Sequence, residues 1–72
     1  MAKFFDVGTR VSWNWGSGQG EGSVREVFRE RVEKTIKGSE VVRNASEDDP
    51  AYLVVQDDGD VVLKSQSELE DA

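Results

Sequence analysis

The stretch AYLVVQDDGDVVLK, residues 51–64, decides the fold of this chain. Residues 51–56 and 60–64 are rich in β-branched and aromatic side chains, which are typical of strands. Residues 57–59, Asp-Asp-Gly, separate the two runs, and glycine supplies the positive φ that a tight hairpin turn requires. Pro50 has no backbone N–H to donate and marks the point where the first run begins. This stretch therefore predicts a β-hairpin.

Further strands are predicted on the N-terminal side of this hairpin. Residues 9–13 alternate polar and apolar side chains, which places Val11 and Trp13 on one face of a strand. Residues 40–44 predict another strand, after a turn at residues 37–39. Between the first strand and residue 23, the tract GSGQGEG (residues 16–22) contains four alternating glycines. Because glycine has the highest conformational entropy to lose on ordering, this tract predicts a loop.

Residues 23–37 fit two structures. Apolar residues recur at every fourth position, which suits a helix, yet the same positions share the parity of one strand face: Val24, Phe28, Val32 and Ile36. The segment lacks Ala and Leu and contains Val, Phe, Thr and Ile, which favours a strand. Val27 beside Phe28 would then require a β-bulge. A short helix within residues 25–35 remains the alternative.

Five short strands in about 60 residues predict a small bent barrel, because closure leaves few exposed edges. Residues 1–72 form one domain in this prediction, with a core spanning about residues 6–70. Residues 65–69 predict one short helical turn that places Leu69 in the core, and residues 70–72 are expected to fray. Whether Tyr52 and Val54 or their neighbours point inward stays open. The predicted core is Val11, Trp13, Val24, Phe28, Val42, Leu53, Val55, Val62 and Leu69.

Composition excludes several kinds of chemistry. The chain has 72 residues, no His, no Cys, and nine Lys and Arg against 15 Asp and Glu, for a net charge of −6. Zinc sites, disulfides, thiol chemistry and histidine acid–base catalysis therefore lack their side chains. No histidine can activate a hydroxyl nucleophile, no Ser-x-x-Lys motif is present, and so small a barrel predicts no ligand cavity of several hundred cubic ångströms. We expect that the protein is not an enzyme and that it binds neither a cofactor nor a metal.

The beginning of the chain and its hydropathy bear on location. The N-terminus has no apolar run long enough for a signal peptide. No stretch approaches the roughly 18 apolar residues of a membrane span. These features predict a cytoplasmic protein that does not contact a membrane.

Several motifs, taken in order, resemble the hypervirulence-associated protein TUDOR domain family. They are VSWNWG (11–16), GEGSV (20–24), KG (37–38), NASEDDPAY (44–52) and LKSQSEL (63–69). The resemblance covers roughly residues 6–70. It implies an SH3-like, Tudor-type five-stranded barrel. It implies no established biochemical activity and supplies no catalytic or binding residues.

The candidate contact surface for an unidentified protein or peptide is the mouth of the barrel. Its residues would be Trp15 and Gln19 at the glycine loop, with Tyr52 and Asp49. Tudor-type barrels that bind methylated side chains use aromatic rims, and Trp15 and Tyr52 beside Asp57 or Asp49 could hold a methylated ammonium by cation–π attraction. The simpler explanation is that the rings fill a thin core.

A basic strip offers an alternative partner. Residues 25–37 contain Arg25, Arg29 and Arg31, which could contact a polyanion such as nucleic acid. Interleaved glutamates dilute this strip. Residues 44–72, with nine acids and one Lys, carry a net charge of −8, which disfavours nucleic acid over most of the surface. A metabolite-binding role is a third, weaker hypothesis.

Overall fold

The structure of the protein, a computed structural model, describes residues 4–72. That part of the chain contains strands and a single 3-10 turn, at Gln66–Glu68, where Glu68 accepts a hydrogen bond from the Ser65 backbone N–H at 2.8 Å. The all-β class and the helical turn are therefore confirmed. The strands are β1 (Arg10–Trp15), β2 (Gly18–Phe28), β3 (Val32–Ile36), β4 (Ser39–Arg43), β5 (Ala51–Gln56), β6 (Val61–Ser65) and β7 (Glu70–Asp71).

The strands form two antiparallel sheets. The larger sheet has five strands in the order β6-β5-β2-β1-β7, and β3 and β4 pair only with each other. The hydrogen-bonded ladders of the two sheets do not join into a closed cylinder. Within residues 4–72, no helix is long and apolar enough to cross a membrane.

Residues 23–37 are extended, and the helix alternative is wrong. They do not form one strand, however, because β2 ends at Phe28 and the chain bends before β3 begins at Val32. A bulge is present, but it lies between Val24 and Glu26 rather than at Val27. The extra residue lets Val24 and Val27, three positions apart, both pack into the same core.

Both faces of the strand β5 contribute to a core. Tyr52 and Val54 enter a first core with residues of β1 and β2, while Ala51 enters a second core beneath the β3–β4 hairpin, with Val32 and Leu63. A strand covered on both sides carries no clear alternation of polar and apolar residues, which explains why the inward set was ambiguous in the sequence.

The predicted core is correct in part. Four predicted members are buried: Val11, Trp13, Val24 and Leu69. Phe28 and Val62 pack against the cores and are only partly buried. Three predicted members are half-buried instead of central: Val42, Leu53 and Val55. Tyr52 and Val54 take the inward positions of β5, and Leu63 takes that of β6.

The glycine tract is mostly strand, so the prediction of a loop over residues 16–22 is wrong. Only Gly16 and Ser17 form the turn, and β2 starts at Gly18. Gly20 pairs with Trp13 across the ladder, and a Cβ at Gly20 would lie 2.5 Å from the indole Cε2. Glycine is present there because the Trp13 ring occupies the space of a side chain, not because the backbone must turn.

The C-terminal end is ordered, and the expected fraying of residues 70–72 is wrong. The strand β7 pairs with β1 at Val11 and Ser12, and the Ala72 N–H donates to the Arg10 carbonyl at 3.3 Å. Leu69, just before β7, is buried in the first core. This contact holds the last residues against β1.

Candidate functional site

Trp15 is the most prominent exposed aromatic residue of the described chain. It ends β1, pairs with Gly18 across the ladder, and leaves 60% of its surface exposed. A Cβ built at Gly18 would lie 3.1 Å from its Cζ2 atom, which shows that the indole lies against the bare backbone of β2. The ring is therefore supported on one side and accessible to a partner on the other.

An open hollow of about 360 Å³ lies beside this ring. The β1–β2 hairpin forms one wall, and the end of β5 with the following turn forms the other. The residues that line it include Arg10, Trp15, Gln19, Glu21, Asp57 and Asp58. The structure thus brings together Trp15 and Gln19, two of the four residues predicted for the contact surface.

Arg10 and Asp57 connect the two walls. The guanidinium donates from Nη1 to Oδ1 at 2.8 Å and from Nη2 to Oδ2 at 2.7 Å. These hydrogen bonds, together with the opposite charges, lower the pKa of the Asp57 carboxyl and raise that of Arg10. Both side chains are exposed, so the pair fixes geometry more than it stabilises the fold.

The hollow remains anionic after this pairing. Glu21 has no basic partner within hydrogen-bonding distance among residues 4–72. Asp58 accepts the Asp60 backbone N–H at 2.9 Å. Glu21 still interacts with the charge of Arg10, and Asp58 with that of Lys37. Acids nevertheless outnumber bases three to one among the residues that line the hollow, an excess that attracts a cation.

Tyr52 lies elsewhere, and its predicted place on an exposed rim is wrong. The residue is fully buried, and its ring meets Phe5 edge-on with centroids 5.5 Å apart. Its hydroxyl accepts the Phe5 backbone N–H at 3.2 Å and donates to the Gln66 side-chain oxygen. Since only one of the two rings is exposed, Trp15 and Tyr52 do not form an aromatic cage.

Asp49 is also distant from Trp15. It lies before β5, whereas Asp57 follows β5, so the two are separated by the strand's length of about 17 Å. Its carboxylate accepts the Ser67 backbone N–H at 3.2 Å, and its own N–H donates to the Ser46 hydroxyl at 3.1 Å. Asp49 thus connects the loop to the 3-10 turn and does not line the hollow.

The basic strip of residues 25–37 does not form one continuous face. Arg25 lies at the bulge, whereas Arg29 and Arg31 lie in the bend between β2 and β3. Several of its cations have acidic partners. These pairs are Arg31 with Glu33 at 2.8 Å, Lys34 with Glu26 at 4.0 Å, and Lys37 with Asp60 at 2.7 Å.

A second open hollow, of about 330 Å³, lies next to the first on β2 and β5. Val7, Ser23, Arg25 and Val55 are among the residues that line it. Both are open depressions of the surface rather than the enclosed ligand cavity that the sequence analysis excluded. Nothing in the sequence marks the Arg10–Asp57 pair, whose members are 47 positions apart, or Val7 as an exposed apolar residue.

Metal chemistry finds no support in the described chain. Among residues 4–72, no three acidic side chains converge in a way that could hold a metal ion. The residues that line the Trp15 hollow include no hydroxyl, thiol or amine nucleophile. The arrangement offers an aromatic surface, amides and carboxylates, all of which can contact a ligand.

Two small sheets of short antiparallel strands are consistent with the SH3-like fold of a Tudor-type domain. Residues 8–69 match the model of the hypervirulence associated proteins TUDOR domain. The chain belongs to this family, as its motifs suggested, and membership agrees with a small binding module. No curated protein and no solved structure matches the chain.

Proposed function

We propose that this domain is a non-catalytic binding module that holds a segment of a protein or peptide partner at the hollow beside Trp15. The exposed and supported indole is the observation that carries the proposal. Tryptophan is enriched among the residues that dominate binding energy at protein interfaces. One face of the indole packs against the backbone of β2 at Gly18, and the other is open to a partner.

The surrounding side chains supply specificity. Gln19 and Gln56 offer amide donors and acceptors, while Glu21 and Asp58 offer carboxylates. The Arg10–Asp57 pair spans the two walls. A cytoplasmic location, with which the absence of cysteine agrees, is part of the proposal.

Selection from a random peptide library on the immobilised domain tests this function. An enriched peptide is then synthesised and titrated into 15N-labelled protein. We expect the largest amide shifts at Trp15, Gln19 and Gln56. Trp15→Ala should weaken binding at least tenfold without unfolding the domain, because the ring is mostly exposed.

Phe4→Ala is the matched control, since Phe4 is also an exposed large apolar residue but lines neither hollow. It should leave affinity unchanged. Peptides that bind Trp15→Ala as tightly as wild type, or shifts that map to another face, would refute the proposal. A collapse of the fold in Trp15→Ala would instead return this ring to a structural role.

Nucleic acid contact through the basic strip has weaker support. Three cations of the strip are paired with acids. Arg25 lies at the bulge in β2, whereas Arg29 and Arg31 lie in the bend that follows this strand. Retention on a polyanion column that falls steeply with salt would favour this alternative.

A further inference from the structure

We propose that the binding surface continues from the Trp15 hollow into the neighbouring Arg25 hollow. It would take one extended segment of a partner protein, with a cationic side chain at the Trp15 end and a carboxylate side chain at the Arg25 end. This inference rests on the proposed function and adds the chemistry and spacing of the partner.

The two hollows are contiguous in the sheet. Arg10, which lines the first, pairs directly with Ser23, which lines the second. Ser23 in turn pairs with Val55, and Gln56, the next residue of β5, lines the first hollow. Residues of the same strands thus pass from one hollow into the other without an intervening element.

The two ends carry opposite charge. Glu21 and Asp58 lie beside Trp15, where the Arg10 charge is already neutralised by Asp57. A guanidinium or ammonium can lie over the indole face and interact with these carboxylates. At the other end Arg25 is exposed, and no acidic partner for it exists among residues 4–72. A carboxylate of the partner would supply one.

An apolar surface lies at the Arg25 end. Val7 is 66% exposed, and Val55 of β5 is half-buried beside it. Together they offer contact for an aliphatic side chain of the bound segment. Burial of such a side chain is favourable and is not weakened by the screening that salt exerts on the two charged contacts.

The strand geometry sets the spacing. Gln19, at the first hollow, and Arg25, at the second, are six residues apart on β2. At about 3.3 Å per residue this separation is at most about 20 Å, because Arg25 lies in the bulge, where the strand bends. An extended peptide laid along the strand therefore places its cationic and acidic side chains about six residues apart.

Synthetic ten-residue peptides test this arrangement. Each contains one Arg and one Glu in an Ala and Val background, two or six positions apart and in both orders. Affinity is measured by NMR titration. We expect one order at the six-residue spacing to bind at least fivefold more tightly than either peptide with the two-residue spacing.

A double-mutant cycle then tests the Arg25 contact. Arg25→Gln should weaken that peptide about threefold to fivefold, and replacing the peptide's Glu by Gln should remove this effect. Arg29→Gln is the matched control, because Arg29 is exposed, has no acidic partner among residues 4–72 and lines neither hollow. It should leave affinity unchanged.

The outcomes separate this inference from the proposed function. If Trp15→Ala abolishes binding but Arg25→Gln and the peptide's Glu→Gln change act additively, the extended surface is wrong and the Trp15 site stands. Equal affinity at both spacings, or no binding by any of these peptides, also overturns the inference. If library-selected peptides bind Trp15→Ala normally, both proposals fail.

Discussion

Gly20→Ala should destabilise the protein because its new methyl group would overlap a buried ring. The Cβ atom would lie 2.5 Å, 2.6 Å and 2.7 Å from the Cε2, Cζ2 and Nε1 atoms of Trp13. Carbon atoms pack best at about 3.5–4.0 Å, so the ring or the strand must move by about 1 Å. Trp13 is only 5% exposed and is packed into the first core, which restricts that movement.

Two opposing effects determine how much Gly20→Ala lowers the free energy of unfolding. Overpacking a rigid core costs about 1–3 kcal/mol. Replacing glycine also reduces the entropy of the unfolded chain, which stabilises by about 0.4–1 kcal/mol. Because both the ring and the β2 backbone are constrained, we expect a net loss of about 2 kcal/mol. For a domain of this size that loss lowers Tm by about 8–16 °C.

Urea unfolding followed by tryptophan fluorescence and far-ultraviolet circular dichroism measures the effect. Gly18→Ala is the matched control, since its Cβ would lie 3.1 Å from the Trp15 ring, which is exposed and can move away. We expect it to change stability by less than about 0.5 kcal/mol. A Gly20→Ala protein as stable as wild type, or a Gly18→Ala protein that is the weaker of the two, would refute this packing argument.

Three further changes test the cores and the C-terminal turn. Tyr52→Phe removes the acceptor of the Phe5 N–H and should cost about 1–3 kcal/mol in urea unfolding; an unchanged midpoint would contradict the buried hydrogen bond. Leu63→Ala should cost about 2–5 kcal/mol by thermal unfolding, and a loss below 1 kcal/mol would mean that the second core is not tightly packed. Burial raises the pKa of Glu68, but hydrogen bonds from a backbone N–H and from Arg43 outweigh it, so the pKa is lowered overall. The stabilisation that ionised Glu68 contributes is therefore fully present above its pKa in the unfolded chain and is lost as the pH falls through its pKa in the folded protein. Glu68→Gln should make the free energy of unfolding depend less on pH on the acid side. An unchanged dependence on pH would contradict this.

Local chemistry made several elements predictable. Pro50 and the Asp-Asp-Gly turn bound β5, and β5 begins and ends where the sequence indicated. The turn between β3 and β4 was also indicated by Gly38, which adopts a positive φ of 77°, although Lys37 before it also has positive φ, at 52°, which its residue type does not favour. These features depend on neighbours in the chain, so no tertiary contact was needed to anticipate them.

The glycine tract shows where local reasoning failed. Alternating glycines at 18, 20 and 22 have the same composition as a mobile loop. In the strand, the Trp15 ring lies against Gly18, the Trp13 ring against Gly20, and β5 residues Val54 and Val55 against Gly22. The strand propensity of a glycine does not reveal that a side chain of a neighbouring strand will pack against it, because that packing depends on cross-strand contacts.

The candidate site was predictable only in part. Trp15 and Gln19 do lie together, because a tight hairpin brings adjacent strands into register. Tyr52 and Asp49 do not join them. Tyr52 lies on the face of β5 that enters the first core. The sequence could not identify this face, because both faces of the strand carry apolar residues.

By itself, the sequence determined the all-β class, the turns flanking β5 and the chemistry that the chain lacks, because these depend on residue type and on near neighbours. Tertiary structure alone decided which aromatic ring reaches solvent, how the β3–β4 hairpin covers a second core, and which charges meet at the surface. The Arg10–Asp57 contact joins residues 47 positions apart. Such contacts depend on how the sheets pack, and packing is a property of the whole chain rather than of any segment.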